Sequence, residues 1–363
     1  MKALERTFTT WDGQDLFYRA WLPEINAETI SSRARVSMPN RLPRIRKALL
    51  LFHRGHEHSG RWQETVEALG LRDVAIFAWD ARGHGRSPGE RGSAENLSAV
   101  IRDVDAFVRH ISEECRIAVE DMIVLAHSVG AVAVTAWVHD YAPPIRAMIL
   151  ATPAFRVKLY VPFAIPFLRL KQKLFGHGYV NSYVKAKLLT HDPDQAANYA
   201  ADKLIFRQIA VNILLDLQDT SSRLLADAGA IRVPTLVLAA ESDWVVKLSA
   251  QKKFFETLGS TIKQMEVLPG FSHAIFHERD RSRVIDRVRQ FCEERFQAAH
   301  ENSSLIEADR HGYTKEEYDG LCRSPGAWFR LMKLGTKIGG FFSHGIKLGR
   351  RSGFDSGLTL DYV

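Results

Sequence analysis

The stretch from Val124 to Ala133, VLAHSVGAVA, carries an apolar run into a serine and then into small, helix-forming residues. A serine set on a sharp turn between a strand and a helix has its hydroxyl raised clear of the sheet, and the helix N-terminus behind it favours developing negative charge. Ala126-His127-Ser128-Val129-Gly130 departs from the Gly-x-Ser-x-Gly pattern of such an elbow only at its first position, where alanine is still small enough for a strained turn. Alone, the pentapeptide reads equally well as a buried serine at a helix start. A serine hydroxyl is a weak nucleophile, so the chemistry also requires a base, a residue that orients the base, and donors for an oxyanion. Downstream, AAESDWVV places Asp243 beyond an apolar run, and LPGFSHAIF places His273 after a Pro-Gly turn and ahead of a long helical pattern. Glu241 is the competing acid, and His277, four residues past His273, the weaker candidate base.

These residues need a scaffold, and its pattern is visible. Continuous apolar runs at 47–53, 74–80, 122–128, 147–153, 234–243 and 264–270 are candidate strands buried on both faces, as in a parallel sheet covered by helices. Helix-length amphipathic stretches such as 94–115 and 280–299 separate them, so the alternation predicts a doubly wound α/β fold. Ahead of it, RTFTTWDGQDLFYRAWLP alternates about a Trp-Asp-Gly-Gln turn and predicts a hairpin. No repeat of solenoid or propeller period is visible. Two segments break the rhythm: an insertion at 154–230, rich in Leu, Phe, Tyr and Lys and of the size of a cap, and a tail beyond residue 300.

The composition excludes wholesale disorder: of 363 residues, 46% are hydrophobic and 25% charged. Cys115, Cys292 and Cys322 have neither the spacing of a zinc site nor the even count of a disulfide framework. The N-terminus MKALERTFTTWDG lacks the apolar centre of a signal peptide, and no stretch is long and apolar enough to span a bilayer, so a cytoplasmic location is expected. The net charge of +7 is concentrated: 20 of the 49 Lys and Arg residues fall in the acid-free tracts 30–47, 156–187 and 323–351. The last two interleave charge with bulky apolar side chains, which favours an anionic membrane surface over nucleic acid as partner.

FHRGHEHSGRW (52–62), WDARGHGRSPGERG (79–92), AHSVG, ESDWVV and GFSHAIFHE resemble, in order and spacing, the monoglyceride lipase and lysophospholipase branch of the α/β-hydrolases, over about residues 5–298. The resemblance implies an α/β-hydrolase core at 1–153 and 231–300 under a helical cap at 154–230, with Ser128 as nucleophile, Asp243 as acid and His273 as base. It further implies an oxyanion hole from the backbone N–H groups of Gly55 and Val129, and a mechanism that requires no metal or organic cofactor. The family usually has His-Gly where this chain has His53-Arg54, so Arg54 either packs outward or meets an anionic headgroup. The DARGHGRS loop, with Asp80, Gly83, His84, Gly85 and Ser87, reads as a structural strand exit.

The activity implied is hydrolysis of the carboxylic ester of a single-chain lipid, a monoacylglycerol or lysophospholipid. The alternatives are an acyltransferase using the same triad and a non-catalytic lipid-binding module. LLTHDPDQAANYAADKLIF (188–206) is similar to the family's cap helix, and KLYVPFAIPFLRLKQKLF (158–175) suits either a membrane contact or packing of the cap. In the tail, Trp328, Leu331, Met332, Ile338, Phe341, Phe342 and Ile346 recur at helical intervals among Arg330, Lys333, Lys337 and Lys347, as in a basic amphipathic helix, although five glycines between 335 and 349 oppose helix formation in water. The ending GFDSGLTLDYV resembles the junction at which a bacterial hydrolase of this type precedes an S-adenosylmethionine-dependent methyltransferase, which implies a downstream domain.

Overall fold

The computed structural model describes residues 2–23, 45–176, 178–182 and 184–299. Most of the first basic tract and the whole of the amphipathic tail therefore lie outside the described residues.

The apolar runs become strands that bury every residue: β3 (Ala48–Phe52), β4 (Ala75–Trp79), β5 (Met122–His127), β6 (Ala147–Ala151) and β9 (Thr235–Ala240). A hairpin of β1 (Leu4–Thr9) and β2 (Asp15–Trp21) forms one edge of the sheet, and β10 (Lys263–Leu268), mostly half-buried, forms the other. The order is β1-β2-β4-β3-β5-β6-β9-β10. β2 runs antiparallel to β4, and from β4 to β10 every neighbour is parallel. The hairpin turn closes with a 2.8 Å bond from the Thr10 N–H to the Gln14 carbonyl, and Gly13 supplies the left-handed residue at φ 79°.

Helices cover both faces. On one lies α2 (Leu97–Cys115), started by the Asn96 side chain, which accepts a 2.8 Å bond from the Ala99 N–H. Its Leu97, Ile101, Val104, Val108 and Ile111 repeat every three or four residues and pack into the core with α3 (Val129–Tyr141) and α7 (Leu248–Thr257). α3 is buried from Ala131 through Val138, which its small and β-branched residues permit. On the other face, α1 (Gln63–Leu69) packs against α8 (Arg281–Gln297), which inserts Val284, Ile285, Val288 and Phe291. Cys115 is half-buried and Cys292 buried, each a free thiol.

Between β6 and β9 the chain forms α4 (Ala164–Phe175), α5 (Pro193–Ala201) and α6 (Val211–Ala226). To these helices it adds a two-stranded antiparallel ribbon, β7 (Tyr179–Asn181) with β8 (Gln208–Ala210), that the sequence pattern does not announce. α5 begins at Asp192, whose carboxylate accepts from the N–H groups of Asp194 and Gln195, with Pro193 at the first helical position where no N–H is needed. α6 packs on α3 and α7 as well as α4. α4 differs from the rest: it buries only Leu168 and exposes Phe167, Leu170, Leu174 and Phe175. Among the described residues, no helix is long and apolar enough to cross a membrane.

Candidate active site

The strand predicted over 122–128 stops one residue early, at His127. Ser128 takes φ 56° and ψ −113°, a strained conformation for a non-glycine residue, and α3 starts at the next residue. The turn is that tight because the sheet leaves no room beside it: a Cβ on Gly130 would lie 2.4 Å from the His53 carbonyl oxygen. Small residues around the serine are thus a packing requirement.

The Ser128 hydroxyl lies 2.8 Å from Nε2 of His273, and Nδ1 of His273 lies 2.8 Å from Oδ2 of Asp243. In the tautomer that satisfies both contacts, Ser128 donates to Nε2 and Nδ1–H donates to the carboxylate. The other oxygen of Asp243 accepts from the N–H groups of Val245 and Val246 at 2.7 and 2.9 Å. Burial raises the pKa of this carboxyl, but the charge and hydrogen bond of His273 and the two amides outweigh it and leave the pKa below the usual Asp value. The carbonyl of His273 accepts from Nε2 of His127 at 3.0 Å and from the Thr152 hydroxyl at 3.1 Å, which fixes the loop carrying the imidazole. Burial, followed by the nearby His273 and Arg54, holds the pKa of His127 well below the usual histidine value, which suits a neutral ring donating to that carbonyl.

The fold therefore brings Ser128, His273 and Asp243 together and leaves the two competitors elsewhere. Glu241 is exposed and accepts from the Gly270 N–H at 3.2 Å. His277 is buried, with Nε2 against the Arg61 carbonyl at 3.2 Å. Gly55 and Val129 both line the space above the serine, and a Cβ on Gly55 would sit 3.2 Å from Cγ2 of Val129. The first amides of α3, like those of any helix start, have no intrahelical acceptor.

That space is a cavity of about 650 Å³. Ser128, His273, Gly55, Arg54, His56 and His84 are among its lining residues, and the remaining walls are mostly apolar, among them Leu159, Phe163, Phe167, Ile213 and Leu214. Arg54 turns inward, correcting one of the two orientations open to it: it is buried, donates to Glu57 at 2.8 Å and lies 4.9 Å over the ring of Tyr199 in α5. The Asp80 loop is built as a strand exit, with its carboxylate accepting from the Ser59 and Arg86 amides, yet it also presents His84 to the cavity. His56, His127 and Thr152 escape a sequence reading, since only folding gives them their neighbours. Among the described residues, no group of His, Cys, Asp and Glu could hold a metal ion.

The cap is stitched to both loops that carry the imidazole and its acid. Near Asp243, the Lys158 ammonium donates to the Asp243 carbonyl at 2.5 Å and the Tyr160 hydroxyl to the Trp244 carbonyl at 2.7 Å. Near His273, the Ala274 N–H donates to the Leu189 carbonyl at 2.8 Å and the Thr190 hydroxyl to the His277 carbonyl at 2.7 Å.

Residues 43–280 match the serine aminopeptidase S33 family. The chain belongs to that family of α/β-hydrolases. A family model described as a putative methyltransferase matches residues 288–363, a match that begins within α8. The protein YnbC of Escherichia coli is 43% identical over 99% of this chain, and the chain spans 60% of the length of that relative. A monoacylglycerol lipase of Mycolicibacterium smegmatis is 26% identical, covering 78% of this chain and 95% of its own. A solved monoglyceride lipase from Saccharomyces cerevisiae, in complex with a substrate analogue, shares the S33 hydrolase fold at a TM-score of 0.69 and 18% identity, over 82% of this chain and 97% of the other.

Proposed function

We propose that this S33 hydrolase cleaves the carboxylic ester of a single-chain lipid through an acyl-enzyme. The observation that carries the reading is the hydrogen-bonded series Ser128–His273–Asp243 opening into a largely apolar cavity of about 650 Å³. In this reading Ser128 attacks the ester carbonyl while His273 takes its proton, and Asp243 holds the tautomer and stabilises the imidazolium. The N–H groups of Gly55 and Val129 stabilise the oxyanion, and the apolar walls hold the acyl chain. Water, deprotonated by His273, then releases the fatty acid. The M. smegmatis and yeast relatives, named as monoacylglycerol and monoglyceride lipases, support this substrate class.

The division into a core at 1–153 and 231–300, a cap at 154–230 and a C-terminal extension at 301–363 belongs to the same proposal. So does a peripheral position on an anionic membrane from the cytoplasmic side. Its support is the exposed apolar face of α4, with Arg169, Lys171 and Lys173 among the phenylalanines and leucines.

The test is labelling by a fluorophosphonate probe, with the modified residue mapped by mass spectrometry, followed by turnover of 1-oleoylglycerol. Labelling at Ser128 and release of oleate are expected. Absence of labelling in folded protein would overturn the reading, and transfer of oleate to an added alcohol in preference to water would convert it to an acyltransferase.

A further inference from the structure

Gly55 lies in the loop between β3 and α1, and the direction of its N–H is set by the peptide it shares with Arg54. A trans peptide turns its C=O and N–H to opposite sides. The Arg54 carbonyl is held by groups at the strand ends: it accepts from Nδ1–H of His53 at 2.8 Å and from the Glu57 N–H at 3.2 Å. The tautomer of His53 is fixed as well, because its Nε2 accepts from the Ala81 N–H at 3.0 Å. Burial holds the pKa of His53 below the usual histidine value, as this neutral ring requires. The N–H of Gly55 is thereby aimed the other way, on the side where Gly55 lines the cavity with Ser128 and Val129.

The same loop is gripped from above by the cap. Between Gln195 and Phe206 the cap meets four of its residues. The Arg54 guanidinium lies 4.9 Å over the ring of Tyr199, and a ring N–H of His56 donates to the Phe206 carbonyl. Nε2 of His58 faces Asp202 at 2.9 Å, and Arg61 donates to Gln195 at 3.4 Å. The first two contacts bracket Gly55 in sequence. His56, at φ 71°, has a strained backbone of the kind that persists only where neighbours over-determine it, and the bond to Phe206 supplies that constraint from the cap. Arg54 is doubly held too, since Glu57 accepts from its guanidinium at 2.8 Å while Tyr199 lies against it. Tyr199 is buried and its hydroxyl has no partner among the described residues, so what it offers is the face of its ring. Neither Tyr199 nor Asp202 lines the cavity.

We propose that Tyr199 and Asp202 are positioning residues for the oxyanion donor: by gripping Arg54 and His58, the cap holds the Gly55 N–H where the reacting carbonyl oxygen becomes negative. The inference rests on the hydrolase reading above and names what keeps its oxyanion hole assembled. Such donors act on charge that exists only in the transition state, so a displaced Gly55 costs rate and not ground-state binding. A displacement on the scale of about 1 Å is enough to lose about a hundredfold.

The experiment uses the full chain, with rates expressed per serine labelled by the fluorophosphonate probe, so that unfolded protein does not enter. Tyr199→Leu should lower kcat for p-nitrophenyl butyrate about 10- to 100-fold, with KM within about twofold of the wild type. Tyr199→Phe, which keeps the ring face, should retain at least about half of the wild-type kcat. Two inhibitors separate the oxyanion hole from the rest of the cavity. With 1,1,1-trifluorododecan-2-one, Oγ of Ser128 bonds to the ketone carbon, its proton passes to His273, and the ketone oxygen becomes an anion in the hole. The ether 1-O-hexadecylglycerol has no carbonyl. Tyr199→Leu should weaken the ketone by a factor similar to its loss in kcat and leave the ether unchanged. Equal weakening of both inhibitors, or a kcat per labelled serine equal to that of the wild type, overturns the proposal, as does a loss in Tyr199→Phe as large as that in Tyr199→Leu. If Tyr199→Leu does not fold, Asp202→Ala takes the same kcat, KM and inhibitor measurements, and the same results decide. A wild type that takes up the probe at no serine and turns over no ester overturns the hydrolase reading itself.

Discussion

The floor of the cavity and its roof are built on opposite terms. Below Ser128, strands β3, β5 and β6 leave no residue exposed, and the serine, histidine and acid are aligned by 2.8 Å contacts whose partners are themselves held by amides and carbonyls. Above it, α4 buries one residue of twelve and turns phenylalanines and leucines to the outside. Packing constrains the floor so tightly that any change there should be felt in chemistry or stability. The roof has apolar surface that the described structure does not use, so changes there should be felt only when something is docked against it.

The largest effect that would break this contrast is on the floor. Ser128→Ala should lower turnover of 1-oleoylglycerol by on the order of 10⁴ to 10⁶ if the three residues act as a unit, with little change in the thermal midpoint. Retained turnover would mean that the alignment is structural. Next comes Gly130→Ala, whose Cβ would meet the His53 carbonyl at 2.4 Å; because both partners are backbone-fixed, a loss of about 2–4 kcal/mol is expected in urea unfolding.

Acid sharpens the comparison further. His56, His84 and His277 have pKa values lowered to about 4, 3 and 4, chiefly by burial, and that of His127 is also depressed. The unfolded chain binds protons at these sites from about pH 6.5 downward, while in the folded chain His56 and His277 do not until about pH 4, His84 not until about pH 3, and His127 only well below its usual range. Their contribution to stability is therefore present above pH 6.5 and lost as the pH falls towards 4. The limit is about 1.4 kcal/mol per pH unit for each fully differential histidine. His139 works the other way: although burial opposes its charge, Asp140 and Asp227 raise its pKa, so its contribution is present below pH 6.5 and lost as the pH rises through that raised value. His53 and His110 are lowered as well, again chiefly by burial, so six sites outweigh one, and the urea midpoint should drop between about pH 7 and 4.5. A flat profile would show that the histidines around the serine are open to protons. The smallest effect on stability belongs to the roof. Replacing Phe167 and Phe175 by Ser should change unfolding free energy by no more than about 0.5 kcal/mol, yet reduce sedimentation with anionic liposomes.

The same contrast governs what could be read from residues alone. Burial on both faces forces an unbroken apolar run, so the central strands announce themselves, and Ser128 and Asp243 each follow such a run; His273 instead follows β10, whose place at the sheet edge leaves it half-buried, against the burial on both faces expected of 264–270. The ribbon of β7 and β8 does not announce itself, because three-residue strands are too short to show a period. Arg54 could not be oriented in advance: its direction depends on Glu57 and on Tyr199, which α5 brings from the insertion. For His56 the signal is absent altogether, since a positive φ is a property of the turn and not of the residue type.

The stitching of the insertion to the Asp243 and His273 loops limits how such enzymes can diversify. A roof transplanted from a relative would arrive without the Lys158, Tyr160, Leu189 and Thr190 contacts that hold those two loops, so acquiring a new specificity and retaining the old reactivity are not independent steps. Recombination breakpoints placed at the ends of the insertion would sever these bonds. Breakpoints that carry residues 243–247 and 273–278 along with the insertion would inherit both halves of each contact, which makes the exchangeable unit larger than the visible one.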